Sequence, residues 1–155
     1  LKLNREVFTL NKYDRHIINL SADNKGIAQV TIVGENTDAV FCALASMEQI
    51  FDCGTTDLQC VTIYDYADIK NRGIIEGYYG VPYTAEVTKD LFRFMARYKM
   101  NTYMYGAKSD SYHSQFWSDP YPTSITEEQL RIGYLTQDMM KDITATAHDT
   151  KVNFI

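Results

Sequence analysis

Arg72-Gly73-Ile74-Ile75-Glu76-Gly77-Tyr78-Tyr79-Gly80 is the segment of the sequence that decides the fold. Its apolar run predicts a short strand, and its later glycines, with Pro82 just beyond, predict an irregular loop. A helix is predicted next, because an apolar stripe with a helical period follows the loop. The stripe consists of Val87, Leu91, Phe94, Met95 and Tyr98, and the opposite face carries Lys89, Asp90, Arg93 and Arg97.

A second strand is predicted at Thr102-Tyr103-Met104-Tyr105, which is β-branched and aromatic and ends in a polar loop. A strand, a helix and a strand in this order predict a βαβ unit with parallel strands. Glu76, Gly77 and Lys108 then follow the carboxyl ends of adjacent strands. Because α/β proteins bind ligands at this edge of the sheet, we expect a binding site there.

Three parts of the sequence, in order and at matching separations, resemble the opening of the catalytic domain in glycoside hydrolase family 84. They are residues 72–80, residues 99–105, and a loop that contains Lys108, Asp110, Tyr112, His113 and Trp117. The family holds the O-GlcNAcases and the bacterial hyaluronidase-like β-N-acetylglucosaminidases. The resemblance implies an α/β fold in which this chain supplies the first strands of a (β/α)8 TIM barrel.

The resemblance also implies two substrate-binding residues. Gly77 matches a glycine whose backbone carbonyl accepts a hydrogen bond from a sugar hydroxyl, and Lys108 matches a lysine that donates to the sugar. The loop around Lys108 departs from the Pro-Lys-Asp-Asp-Pro pattern of the family, because Ala107, Ser109 and Ser111 replace both prolines and the first acid. The residues expected to support the site loops are Glu76, Tyr78, Tyr79, Asp110 and His113.

Each of these residues also has a purely structural interpretation. Gly77 could serve only to permit a tight turn, and a lysine in a polar loop is usually just solvated. For Glu76 we prefer the interpretation as a buried structural carboxylate. Asp110 and His113 are too few for a metal site, so we interpret them as ordering the loop through hydrogen bonds, and we predict no metal or cofactor.

The chemistry that the resemblance implies is removal of terminal β-linked N-acetylglucosamine with retention of configuration. The 2-acetamido oxygen of the substrate attacks the anomeric carbon to form an oxazoline, so no carboxylate nucleophile is needed. Two adjacent aspartates polarise the acetamido group and act as general acid and base. The sequence contains no Asp-Asp pair. We therefore expect this pair beyond Ile155, and we expect the chain alone to be an inactive fragment.

The remainder of the chain predicts a small α/β unit before the barrel. Strands at residues 16–20 and 28–33 form a hairpin, and a further strand is expected at residues 58–64. A helix is predicted between the strands at residues 28–33 and 58–64, capped by Asn36 or Thr37. Its apolar stripe is Val40, Ala43, Leu44, Met47, Ile50 and Phe51. We place residues 1–68 in a partial hexosaminidase-type auxiliary domain and residues 69–155 in an incomplete catalytic barrel, with a third barrel strand at residues 152–155.

Composition excludes some functions. The net charge is −5 with no basic run, which argues against nucleic acid as a partner, and no apolar stretch is long enough to span a membrane. The first residue is not methionine and no signal peptide is visible, so we expect a piece of a longer protein, secreted or periplasmic if that protein is bacterial. Cys42, Cys53 and Cys60 suggest buried or half-buried free thiols rather than disulfides.

The expected partners are glycans or glycoproteins that contain N-acetylglucosamine. Two alternatives stay open: a non-catalytic carbohydrate-binding module that uses Gly77, Lys108 and nearby tyrosines, and a structural or partner-binding α/β module. Ten of the twelve tyrosines lie between Tyr64 and Tyr121, which suits sugar rings and barrel walls equally. An unclosed parallel sheet would leave its edges unpaired, so we also expect self-association of the chain.

Overall fold

A computed structural model describes residues 11–54, 58–77, 83–106, 135 and 137–155. The described residues fall into two compact units, one running up to Arg72 together with Arg97–Lys99, the other comprising Gly73–Ala96 and Met100–Ile155. The first unit contains strands β1 (Tyr13–Ala22), β2 (Ala28–Gly34) and β3 (Val61–Ala67) and helix α1 (Thr37–Asp52). The second contains β4 (Gly73–Ile75), most of α2 (Ala85–Arg97), β5 (Thr102–Met104), α3 (Gln137–Asp149) and β6 (Asn153–Phe154).

The sheet of the first unit is antiparallel with strand order β2-β1-β3. Ile18 in the central strand pairs with Ile32 of β2 and with Ile63 of β3. The connection from β1 to β2 is a tight turn because Asp23 Oδ1 accepts hydrogen bonds from the backbone N–H groups of Lys25 and Ile27, both at 2.8 Å. The predicted hairpin is therefore confirmed.

Helix α1 packs against one face of this sheet. It begins after Asn36, whose Oδ1 accepts from the backbone N–H of Ala39 at 2.8 Å, as expected of an N-cap. The core between helix and sheet is built from Ile18, Leu20, Ala43 and Met47.

The predicted stripe of α1 is wrong in part. Leu44 and Phe51 are 52% and 53% exposed, whereas the buried residues are Ala39, Cys42, Ala43, Ala45 and Met47. The small side chains let the helix approach the sheet closely, so the contact line runs along the alanines instead of the larger residues beside them. Strand β3 also starts later than predicted, because the pairing with β1 runs from Val61 to Ala67.

The sheet of the second unit is parallel with strand order β4-β5-β6. Gly73 pairs with Thr102, and a Cβ at position 73 would lie 1.6 Å from the carbonyl oxygen of Thr102, so only glycine allows this approach. One face of the sheet packs on the helices through Tyr103 and Phe92, whose ring centroids are 5.2 Å apart in an edge-to-face arrangement. The predicted parallel strands and the intervening helix are confirmed.

The apolar stripe predicted for α2 does not coincide with the face of the helix that is buried. Val87, Phe94 and Tyr98 are 42%, 49% and 55% exposed, and of the predicted stripe only Met95 is fully buried. Phe92, which the stripe omitted, is completely buried. Lys89 was assigned to the solvent face, but it is 8% exposed because its Nζ reaches Asp142 of α3 at 2.5 Å and Glu86 at 2.8 Å. The partner carboxylates are what make this burial tolerable.

Candidate functional site

The candidate site lies where β4 and β5 end. The backbone N–H of Glu76, the first residue after β4, donates to the carbonyl of Met104 at 2.9 Å. The backbone N–H of Tyr105, the first residue after β5, donates to Ile155 at 2.7 Å. Since both hydrogen bonds continue the parallel ladder beyond the strands, the first residue of each loop is held by the sheet.

Glu76 is a buried carboxylate, with 7% of its surface exposed. Tyr103 Oη, itself fully buried, donates a hydrogen bond to Glu76 Oε2 at 3.3 Å. Burial is the main cause that raises the pKa of Tyr103, and the adjacent Glu76 raises it further. Tyr103 therefore stays a neutral donor at every physiological pH, which is what a buried carboxylate needs as a partner.

Gly77 is exposed and follows Glu76 directly. Among the described residues no atom would lie within 4 Å of a Cβ placed on Gly77, and its φ is not among the positive values of the described glycines. Within that part of the chain, neither crowding nor a left-handed backbone requires glycine at this position, in contrast to Gly73.

Gly106, two residues after the end of β5, faces Glu76. A Cβ at position 106 would lie 2.5 Å from the backbone oxygen of Glu76, so glycine is required for the two chain segments to meet here. The described part of the site thus consists of two loop beginnings in direct backbone contact. Lys108, Tyr78, Tyr79, Asp110 and His113, which were predicted to bind substrate or to support the loops, lie outside the described residues.

A cluster of charged residues in the first unit was missed by the sequence analysis. His16 is 1% exposed, and its Nδ1 must carry a proton because it contacts the backbone oxygen of Asp14 at 2.7 Å. Its Nε2 lies 3.4 Å from Asp65 Oδ2, without the geometry of a hydrogen bond. The Asp65 carboxylate also pairs with Lys99 at 2.5 Å, and Arg72 pairs with Asp14 at 2.6 Å.

These charges shift the acidity of two groups. The pKa of Asp65 is held far below its usual range, first by its contact with His16, with Lys99 adding to the effect and burial opposing it. Burial raises the pKa of the Cys42 thiol to about 11, and Asp14 adds to that shift. A cavity of about 210 Å³ opens beside this cluster, and the ion pairs Arg72–Asp14 and Lys99–Asp65 line it. We interpret the cluster as structural, because each charge has its partner within the protein.

The thiols differ from the prediction. Cys42 is buried as expected, but Cys53 and Cys60 are exposed. Both lie at the ends of elements, Cys53 at the end of α1 and Cys60 before β3, where no core covers them. Among the described residues no group of three or more His, Cys, Asp or Glu side chains is placed to hold a metal ion. No helix in that part of the chain has the length and apolarity to cross a membrane.

The described architecture is that of an α/β protein in which two connecting segments begin at the carboxyl edge of a parallel sheet, the edge at which such sheets bind ligands. The sequence is consistent with this class, because residues 72–155 match the family model beta-N-acetylglucosaminidase, called NAGidase. The match covers more than half of the 155 residues, and the chain belongs to this family.

Several known proteins are similar to this chain. Protein O-GlcNAcase from Rattus norvegicus and from Mus musculus is 37% identical over 60 residues, which is 39% of this chain and 7% of each relative. The solved structure of CpGH84D is 31% identical with a TM-score of 0.67, and it covers 98% of this chain and 23% of its own. The structure of CpGH84B is 27% identical with a TM-score of 0.63, covering 94% and 23%. The resemblance to glycoside hydrolase family 84 is thereby confirmed.

A more distant structure shows the fold alone. The crystal structure of a beta-N-acetylhexosaminidase has a TM-score of 0.64 at 16% identity and covers 94% of this chain and 32% of its own. The fold is therefore the mixed α/β arrangement of hexosaminidases. This chain spans under a tenth of the curated relatives that it matches and under a quarter of the two family 84 structures.

Proposed function

We propose that the protein to which this chain belongs hydrolyses terminal β-linked N-acetylglucosamine from glycans or glycoproteins. The observation that carries the proposal is the family match over residues 72–155, in which Glu76 and Gly77 end one parallel strand beside the end of the next. Residues 1–68 would form part of an auxiliary domain. Residues 69–155 would supply the first three strands of a (β/α)8 barrel, which takes about 250 residues to close.

In the proposed reaction, the backbone carbonyl of Gly77 accepts a hydrogen bond from a sugar hydroxyl. Lys108 donates to hydroxyls of the same ring. The first role is supported by the position of Gly77, which is exposed directly after β4 and has no described atom within 4 Å of where a Cβ would lie. The 2-acetamido group of the substrate is the nucleophile and forms an oxazoline, so configuration is retained.

The acid and base of this reaction would be an Asp-Asp pair that the present sequence lacks. The chain alone is therefore proposed to be inactive. It also exposes an apolar sheet face that a closed barrel would cover, since Ile75 and Ile155 are 71% and 69% exposed and Met104 is 43% exposed. These residues lie opposite the face that carries Tyr103, and we propose that they and the sheet edges cause the isolated chain to self-associate.

The test is turnover of a chromogenic aryl β-N-acetylglucosaminide by the chain of 155 residues and by the protein expressed from its complete gene. We expect activity only in the latter. Lys108→Ala in the active protein should raise KM by about tenfold, the loss of one charged hydrogen bond. Lys141→Ala is the matched control, because Lys141 is 68% exposed on α3. Turnover by the short chain would contradict the assignment of the acids, and an inactive complete protein would contradict the proposed reaction.

A non-catalytic carbohydrate-binding module is the second candidate, and the position of Glu76 and Gly77 at the carboxyl edge of the parallel sheet, where such sheets bind ligands, is the observation that favours it. Binding of N-acetylglucosamine by the complete protein, lost in Lys108→Ala and without any turnover, would select this candidate. A structural module would show neither binding nor turnover.

A further inference from the structure

We propose that Glu76 is a positioning residue that, held by Tyr103, fixes the peptide carrying Gly77 at the edge of the sugar site. The effect on the sugar rests on the proposed function, whereas the effect on the Gly77 peptide does not. Glu76 belongs to neither strand nor helix, yet its backbone and side chain are held by hydrogen bonds with two residues of β5.

The contacts come from three different positions of the neighbouring segment. The N–H of Glu76 donates to Met104 at 2.9 Å, its carboxylate accepts from Tyr103 at 3.3 Å, and its carbonyl lies against Gly106. All three contacts are made by Glu76, which lies beyond the last residue of β4, so they act on the loop and not on the strand. Gly77, the next residue, is exposed.

A buried carboxylate is an unlikely choice for packing alone. Removing a charge from water costs free energy that a hydrogen-bonded partner seldom repays in full, and an apolar side chain would fill the same space at lower cost. The carboxylate of Glu76 lies against Tyr103, a residue of the apolar core that also contains Phe92 and Ile143. The carboxylate instead fixes the orientation of one loop side chain, because it accepts a hydrogen bond from Tyr103, whose ring is packed against Phe92.

The experiment uses the protein expressed from its complete gene and three variants. Tyr103→Phe removes only the hydroxyl and keeps the ring, Glu76→Ala removes the carboxylate, and Glu76→Gln keeps an oxygen that accepts from Tyr103. Ile143→Val is the matched control, since Ile143 is 1% exposed in the same core but is not part of the site. Amide hydrogen exchange is measured without sugar, and kcat and KM are measured with the aryl substrate.

We expect Tyr103→Phe and Glu76→Ala to speed exchange at the Glu76 amide while the Tyr105 amide, which donates to Ile155, keeps its protection. KM should rise by about tenfold in both, because a displaced Gly77 carbonyl loses its hydrogen bond to the sugar. Glu76→Gln should restore both readouts to within about threefold of the wild type, as expected if the bond to Tyr103 is what acts.

Two results would overturn the inference. Unchanged exchange at Glu76 in both disruptive variants would show that Tyr103 does not hold the loop. An equal rise of KM in Ile143→Val would show that the effect is a general loss of stability. If the wild type neither binds nor hydrolyses the sugar, the proposed function is wrong, and the exchange rates alone decide whether Glu76 positions Gly77.

Discussion

Lys99 holds a left-handed backbone conformation, with φ at 58°, while its Nζ lies 2.5 Å from Asp65 Oδ2. It ends helix α2, where Met100 N–H donates back to Met95 at 2.8 Å, and glycine is the usual residue at such a position. The lysine thus accepts an unfavourable backbone conformation and gains an ion pair with β3.

The backbone cost at Lys99 can be measured by comparing two variants. Lys99→Gly and Lys99→Ala both lose the ion pair with Asp65, so their difference reflects the backbone alone. We expect the glycine variant to be more stable by about 1 kcal/mol in urea unfolding, because alanine keeps the strain of the left-handed region. The same two substitutions at Lys141, in the middle of α3, are the control. There the alanine variant should be more stable than the glycine variant by about 1 kcal/mol. Equal stability of the two Lys99 variants would contradict the argument.

Asp65 predicts how stability depends on pH. Its pKa in the folded protein is lowered, so the group stabilises the fold above roughly pH 4, where the unfolded carboxyl is also ionised, and this contribution is lost as the pH falls further. The difference in free energy of unfolding between wild type and Asp65→Asn should therefore be largest near neutral pH and shrink in acid. Urea midpoints across this range measure it.

Asp138→Asn provides the comparison for the pH experiment, because the Asp138 side chain is 91% exposed at the start of α3. Its stability curve should run parallel to that of the wild type. A constant difference between wild type and Asp65→Asn at all pH values would show that His16 and Lys99 do not act on Asp65 through its charge.

The three thiols should differ in reactivity. Cys53 and Cys60 are exposed, whereas Cys42 is buried and its pKa is raised to about 11, so little of it is thiolate at neutral pH. Brief alkylation of the native protein should give two adducts per chain, at Cys53 and Cys60, and unfolding should add the third. Peptide mass spectrometry locates them. A modified Cys42 in the native protein would mean that helix α1 opens on the timescale of the reaction.

Phe92 and Phe94 test which face of α2 carries the core. Phe92 is fully buried and its ring contacts those of Tyr103 and Phe154 at centroid distances of 5.2 and 5.6 Å, whereas Phe94 is 49% exposed. Phe92→Ala should cost about 3–5 kcal/mol, as expected for a large cavity. Phe94→Ala should cost under about 1 kcal/mol in the same unfolding assay. A larger loss of stability in Phe94→Ala than in Phe92→Ala would mean that the stripe predicted from the sequence is the buried face of α2.

Two glycines near the candidate site should respond differently to alanine. Gly106→Ala places a methyl group 2.5 Å from the backbone oxygen of Glu76, and we expect a loss of about 1–3 kcal/mol because neither backbone can move away freely. Gly77→Ala meets open space and should change stability by under about 0.5 kcal/mol. Thermal unfolding measures the stability of the two variants. Similar losses of stability in Gly106→Ala and Gly77→Ala would contradict the close approach at Gly106.

The order of elements could be predicted because each one has a local signal. Asn36 caps α1, the turn after β1 contains Asp23, and the parallel pairing follows from a strand, a helix and a strand in succession. The buried faces of the helices could not be predicted as well. Several rotations of an apolar stripe satisfy a helical period, and which one is buried depends on the partner, as Phe92 and Lys89 show.

The site was predictable only where a motif places it. Glu76 and Gly77 follow from the end of a strand, but the bond from Tyr103 joins residues far apart in sequence. The ion pairs around His16 could not be predicted, because a lone histidine in an alternating strand looks like any polar residue. The alternation does place His16 on the same sheet face as Ile18 and Leu20, toward α1, and this clue could have indicated its burial.

Helix α3 ends in the same way as α2. Lys151 is left-handed with φ at 59°, Val152 N–H donates back to Ala147 at 2.9 Å, and Asn153 follows, so Lys151-Val152-Asn153 repeats Lys99-Met100-Asn101. Each junction connects the last turn of its helix to the next parallel strand through one left-handed residue. A residue inserted at the amino end of α2 or α3 would therefore leave the register of the parallel sheet untouched, whereas one inserted within a junction would shift it.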